Sequence, residues 1–175
     1  LANQIPVDLA YYAREQARIG AAAGERTLLF ALVDIDHFQR INDMYGLRAG
    51  DRVLQQFAHL MLRMVRTGDY VVRWDGEKFL LVFRPVPRRH VATLGERLRR
   101  VVEQHAFDVG AEQPITLTCS IGLAEYPLSH EGSDRLGWEQ VVELAEAALR
   151  WAKMNGRDGW AQLLPTTPSE LGALL

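Results

Sequence analysis

The chain is poor in cysteine, in net charge and in long apolar runs, and each shortage removes a class of protein. A single cysteine, Cys119, in 175 residues leaves no internal disulfide framework and fits a reducing compartment, so a cytoplasmic location is expected. The 20 basic and 22 acidic residues nearly cancel. Without a basic field, bulk nucleic-acid binding is not expected, and any phosphate ligand has to be held by a local site. No apolar stretch approaches the roughly 20 residues that span a bilayer, and no secretory signal opens the chain, so no membrane contact is expected of this piece. The first residue is Leu1 rather than Met, so the piece is expected to come from a longer protein.

What is present is enough apolar material, 48% of residues, for one domain with a full core. Val7–Ala23 carries apolar residues at helical spacing and is closed by Gly24. Thr27–Val33 is a continuous apolar, β-rich run, expected as a central strand covered on both faces. Asp36 is expected to cap a short helix that Gly46 ends, and Asp51 to open the next, with Val53, Leu54, Phe57, Leu60, Met61, Met64 and Val65 on one face until Gly68. A hairpin over Tyr70–Phe83 follows, ended by Pro85 and Pro87. Then come a charged helix from about Arg88 to Ala106, a strand over Ile115–Ala124 holding Cys119, and an amphipathic helix over Trp138–Asn155 before Gly156. This order predicts an α/β (α+β) sandwich with a mixed sheet of about five strands and helices on both faces. Residues 161–175, including the proline-bearing Pro165–Leu175, read as a tail or linker after a domain over 1–160.

Two segments carry the chemistry. In LVDIDHFQRIND (Leu32–Asp43), Asp34 and Asp36 stand at the end of the apolar strand, where a carboxylate is expensive to bury unless something binds it. In VVRWDGEKF (Val71–Phe79), Asp75-Gly76 is a turn-forming dipeptide and Glu77 follows it. A strand-end carboxylate facing a hairpin carboxylate, Asp34 and Glu77, is expected to offer a hard-cation site beside a phosphate pocket.

The pattern Asp34-Ile35-Asp36-His37-Phe38-Gln39, Ile41-Asn42-Asp43, Gly46-Leu47, Gly50-Asp51, Ser120-Ile121-Gly122, Ala148-Leu149, Ala152-Lys153 and Gly156-Arg157 resembles that of the GGDEF family of diguanylate cyclases. Even Leu1-Ala2-Asn3 resembles part of that family's opening. The resemblance implies a sheet like that of the nucleotidyl cyclase and polymerase palm. It also implies a catalytic set of Asp34, Glu77 and position 78, with magnesium held by Asp34, Ile35 and Glu77. Asn42 and Asp51 would read a guanine edge, Asp75 and Gly76 would lie against the bound GTP, and Lys153 and Arg157, four apart on the last helix, would reach its triphosphate. Each residue also has an ordinary use: Asn42 on a polar helix face, Asp51 as a cap, the two cations at a helix end. Arg66-Thr67-Gly68-Asp69 resembles the family's Arg-x-x-Asp product site, whose guanidinium and carboxylate would bind cyclic di-GMP. Synthesis from two GTP would bring two domains face to face, so self-association into a dimer is expected of an active form.

Four departures stand against full activity. Asp75 replaces the first signature glycine, Lys78 the fourth-position glutamate, Gln39 a phosphate-facing lysine and Leu47 a histidine. A lysine about 4 Å from a divalent ion would be repelled by roughly 8 kcal/mol at an effective dielectric near 20. The expectation is a cyclic di-GMP-binding domain with impaired or residual cyclase activity. The alternatives are a working cyclase with an altered motif and an inert dimerising or regulatory module.

Overall fold

Apolar side chains on both faces of one strand make that strand the centre of the molecule. In the computed structural model, which describes residues 26–126 and 137–163, β1 (Arg26–Ile35) alternates cleanly between two cores. Leu29, Ala31, Val33 and Ile35 point to one, Leu28, Phe30 and Leu32 to the other. Around β1 lie β2 (Tyr70–Asp75), β3 (Lys78–Pro87), β4 (Cys119–Tyr126) and β5 (Gly159–Gln162), in the order β2-β3-β1-β4-β5. Only β4 and β5 pair in parallel; the other neighbours are antiparallel.

The first core is closed by α1 (Phe38–Tyr45), α2 (Leu47–Met64) and α3 (Val91–Glu103), the second by α4 (Trp138–Met154). The expected α/β sandwich with a five-stranded mixed sheet and helices on both faces is the architecture observed. The helix α4 is the crossover between parallel β4 and β5, and it lies unusually close to the sheet. A Cβ at Gly122 on β4 would overlap the Ala145 carbonyl oxygen and the Leu149 amide nitrogen, so only glycine permits that approach. No helix among the described residues is long and apolar enough to cross a membrane.

Several boundaries differ from the sequence expectations for identifiable reasons. Asp36 does not cap α1; that place is His37, in a left-handed conformation with φ 57° and no side-chain cap. The helix α2 starts at Leu47, directly after Gly46 (φ 85°), so Asp51 sits inside it rather than at its cap. It ends at Met64, before Gly68. The hairpin loop consists of Gly76 and Glu77, while Asp75 is the last residue of β2 and pairs with Lys78. Gly76, with φ 52°, takes the first central position, where such two-residue loops favour glycine. Pro85 and Pro87 do not end β3, which runs to Pro87 alongside β1 beyond the last pairing of β2 at Val82. There a missing N–H costs no ladder bond on the open side. Helix α3 is shorter than expected, and β4 begins at Cys119, with Ile115 in an isolated bridge to Phe107. The helix expected over Val7–Ala23, the Leu1-Ala2-Asn3 opening and Pro165–Leu175 lie outside the described residues, while of the tail expected from residue 161, Ala161 and Gln162 belong to β5 and Leu163 packs against the core.

Candidate active site

Strand parity brings the candidate residues together. Asp34 is in register with Lys78 on β3 and with Ser120 on β4, and all three occupy positions of the face that α4 covers. Asp34 is only 1% exposed. Lys153 Nζ, from the last turn of α4, lies 2.7 Å from Asp34 Oδ2, yet its approach leaves Oδ2 without an aligned hydrogen bond. Burial raises the Asp34 carboxyl above its ordinary pKa, and the nearby Glu77 adds to this, while the ammonium groups of Lys153 and Lys78 oppose it. Glu77 itself is half-buried at the hairpin tip.

Lys78 does not pair with its register partner. Its Nζ donates to Glu146 Oε1 of α4 at 2.9 Å, and this contact raises the Lys78 pKa most. Glu146 was not singled out from the sequence, although it stands seven residues before Lys153, two turns away on the same helical face.

Asp36, also buried, is a clamp. Its carboxylate accepts from Thr118 Oγ1 at 2.8 Å, Ser120 Oγ at 2.7 Å and the Asp158 amide at 3.0 Å. The last bond fixes the turn between α4 and β5 that carries Arg157. Because α4 ends at Met154, Arg157 is not on the helical face of Lys153; it stands exposed in that turn with φ 61°.

Asp51, exposed on the second turn of α2, rims a cavity of about 380 Å³ between α2 and the hairpin, walled by Leu54, Ala58, Val71 and Phe79, with Arg73 opposite. Arg73 Nε also donates to the Gly76 carbonyl at 2.7 Å and so braces the hairpin turn. Asn42 is not part of that lining. Its side chain rests on Gly50, where a Cβ would overlap Asn42 Oδ1. Gln39 turns along α1 to Asp43 at 2.8 Å, and Leu47 is 75% exposed.

On the far side of the hairpin, Asp69 accepts from the amides of Arg66 (3.1 Å) and Arg84 (2.8 Å), which fixes the turn between α2 and β2. The Arg66 guanidinium reaches the Arg84 carbonyl at 2.9 Å and faces a second cavity, of about 320 Å³, with Arg26, His90 and Arg97 in its lining. Of these basic residues only Arg66 stands in a motif of the sequence. The others come from β1 and from the segment around the start of α3, and no short motif links them.

The family model for the diguanylate cyclase GGDEF domain matches residues 11–159. The chain belongs to the GGDEF family. This GGDEF domain is 37% identical over 131 residues to diguanylate cyclase DgcP of Pseudomonas aeruginosa, covering 75% of this chain and 18% of that protein. It is 33% identical to diguanylate cyclase A of Treponema denticola, over 78% of this chain and 36% of that one. The chain therefore spans about a third or less of these relatives. Among solved structures it resembles diguanylate cyclase SiaD of Pseudomonas aeruginosa, in complex with its activator SiaC, with 30% identity and a TM-score of 0.74 over 92% of this chain and 57% of that one. It also resembles the GGDEF domain of DgcB from Caulobacter crescentus in complex with c-di-GMP, with 28% identity and a TM-score of 0.68 over 85% and 84% of the two chains.

Among the described residues no group of three or more His, Cys, Asp or Glu is arranged to hold a metal. The donor set nevertheless fits magnesium, which is usually held by one or two carboxylates together with substrate phosphates. Asp34 Oδ2 is a buried anionic oxygen of the kind such an ion takes, and the cation that meets it here is the Lys153 ammonium at 2.7 Å.

Proposed function

We propose that this GGDEF domain is a cyclic di-GMP signalling module that binds cyclic di-GMP and GTP and retains at most weak diguanylate cyclase activity. The observation that carries the reading is Lys78, a cation at the position in register with Asp34, where the family signature has a glutamate. With that carboxylate gone, Asp34, Glu77 and the Ile35 carbonyl would be left to hold magnesium. Bound magnesium supplies charge neutralisation on the triphosphate and activation of the attacking 3′-hydroxyl. The chain's own residues do the rest. Asp51, at the rim of its cavity, accepts from the ring N–H and exocyclic amine of guanine. Asn42, which lies against Gly50 outside that lining, would have to turn toward the base to add a donor and an acceptor. Lys153 and Arg157 meet the phosphates, and Asp75 and Gly76 flank them at the hairpin. Lys153 must leave Asp34 to do so, since the two are in contact.

The cavity beside Arg66 supports the cyclic di-GMP half of the reading. A ligand with two phosphates suits a recess bordered by Arg26, Arg66, His90 and Arg97, and guanidinium groups pair with phosphate in a planar fork. Asp69 contributes by holding the turn that presents Arg66. The c-di-GMP-bound DgcB domain is a relative with the same fold. Calorimetry with cyclic di-GMP on the parent and on Arg66→Ala tests the reading. Affinity should fall at least about tenfold, or roughly 1.4 kcal/mol, in the variant. Equal affinity would move the ligand elsewhere, and no binding by the parent would remove the cyclic di-GMP half of the reading and leave turnover of GTP to separate the working-cyclase and inert-module readings.

A further inference from the structure

Asp34 and Lys78 are opposite charges at paired positions of adjacent antiparallel strands, on the same face, and such neighbours ordinarily join in a cross-strand ion pair. Here both are drawn away to α4. Lys153 meets Asp34 at 2.7 Å, and Glu146 meets Lys78 at 2.9 Å. The two helix residues are seven apart, so one helical face supplies both partners in one orientation. Close contact of α4 with β4 at Gly122 sets how far each side chain must reach.

The geometry points to Glu146 as a positioning residue: by holding the Lys78 ammonium, it keeps a second cation away from Asp34 and Glu77, so that a divalent cation carried in on GTP has only Lys153 to displace. This rests on the reading of that sheet end as the nucleotide site. Without Glu146, Lys78 is left with the two carboxylates it pairs with in register, Asp34 on β1 and Asp75 on β2. Lys78 would then turn back to its register partner. Asp34 would face two ammonium groups, Lys78 and Lys153, where a metal ion has to enter. A freed Lys78 would also offer a metal-free triphosphate a new cation. Loss of Glu146 is therefore expected to affect metal-bound and metal-free nucleotide in opposite directions, which a merely structural tie between helix and sheet would not do.

The test measures binding of a non-hydrolysable GTP analogue with and without manganese(II), whose paramagnetic signal reports its own capture, to the parent, Glu146→Gln, Lys78→Met and the double variant. In Glu146→Gln, the affinity gained by adding manganese should shrink at least about tenfold, or roughly 1.4 kcal/mol, while metal-free affinity holds or tightens. In the Lys78→Met background, Glu146→Gln should change neither value more than about twofold, because the cation it restrains is gone. An unchanged manganese gain in Glu146→Gln would overturn the inference and leave the nucleotide site standing. So would an equal loss with and without Lys78. A parent that binds the analogue in neither condition would instead overturn the nucleotide site itself, and the role of Glu146 with it. Glu146→Asp keeps the charge, and should it fold while Glu146→Gln does not, a parent-like manganese gain supports the inference and a collapsed one contradicts it.

Discussion

Asp34 and Lys78 face one another across β1 and β3, yet each is neutralised by a residue of α4 rather than by the other. The end of the sheet is thus an alternating set of charges, of which Asp34 is the buried member. Its raised pKa means that folding costs stability when the carboxylate is charged.

That cost predicts a trade between stability and cation binding at Asp34. The protonated form is favoured in the folded state, so its contribution is present below the ordinary value of 3.8 and is lost as pH rises through the elevated one. Asp34→Asn should therefore melt about 2–4 °C higher at neutral pH, equivalent to roughly 1 kcal/mol, and should no longer bind manganese with nucleotide. Lys153, 31% exposed on its side chain, can return to water when its partner is removed. Thermal unfolding of both proteins across pH 3 to 8 (about that range) checks the sign, since the gain should vanish at the acid end.

Asp51 offers a clean separation of recognition from folding. It lies within α2 and makes no cap, so Asp51→Ala places a better helix former at an exposed position. Melting temperature should hold or rise slightly, while GTP affinity falls at least about tenfold and ATP affinity stays equally poor. Equal loss for both nucleotides would mean that Asp51 does not read the guanine edge.

Gly122→Ala tests how α4 is positioned. The new methyl would collide with helix backbone, which cannot rotate aside as a side chain would. A loss of at least about 1–3 kcal/mol is expected in denaturant unfolding, because overpacking forces backbone shifts. Wild-type stability would mean that α4 is free to ride outward.

Cys119 is buried among apolar neighbours and its thiol is pushed well above its ordinary pKa, chiefly by burial. The thiolate, which is the reactive form, should be nearly absent in the folded protein. Labelling by a thiol reagent at neutral pH should be slow in buffer and rapid in denaturant, with exposure rather than pH setting the rate.

Much of this architecture was legible because two signals were strong. The apolar run of β1 and the single-faced stripe of α2 both left little freedom about the core, and the ordered motifs fixed the family. Boundaries were less legible where one residue type serves several ends. Asp36 and Asp51 look like caps in isolation, but Asp36 is consumed by Thr118, Ser120 and Asp158, which are distant in sequence. Arg157 keeps the spacing of a helical pair with Lys153, although the left-handed turn after Met154 breaks the helix between them. Glu146 had no visible reason to matter until the register of β1 and β3 brought Lys78 within its reach.

The central claim, that Lys78 is what weakens synthesis, is tested most directly by restoring the signature. Purified parent and the Asp75→Gly, Lys78→Glu double variant are incubated with GTP and magnesium, and cyclic di-GMP is quantified over time. The parent should be slow, and the variant should be at least about tenfold faster, equivalent to roughly 1.4 kcal/mol of barrier. Brisk synthesis by the parent, or a restored signature no faster than the parent, would contradict the account.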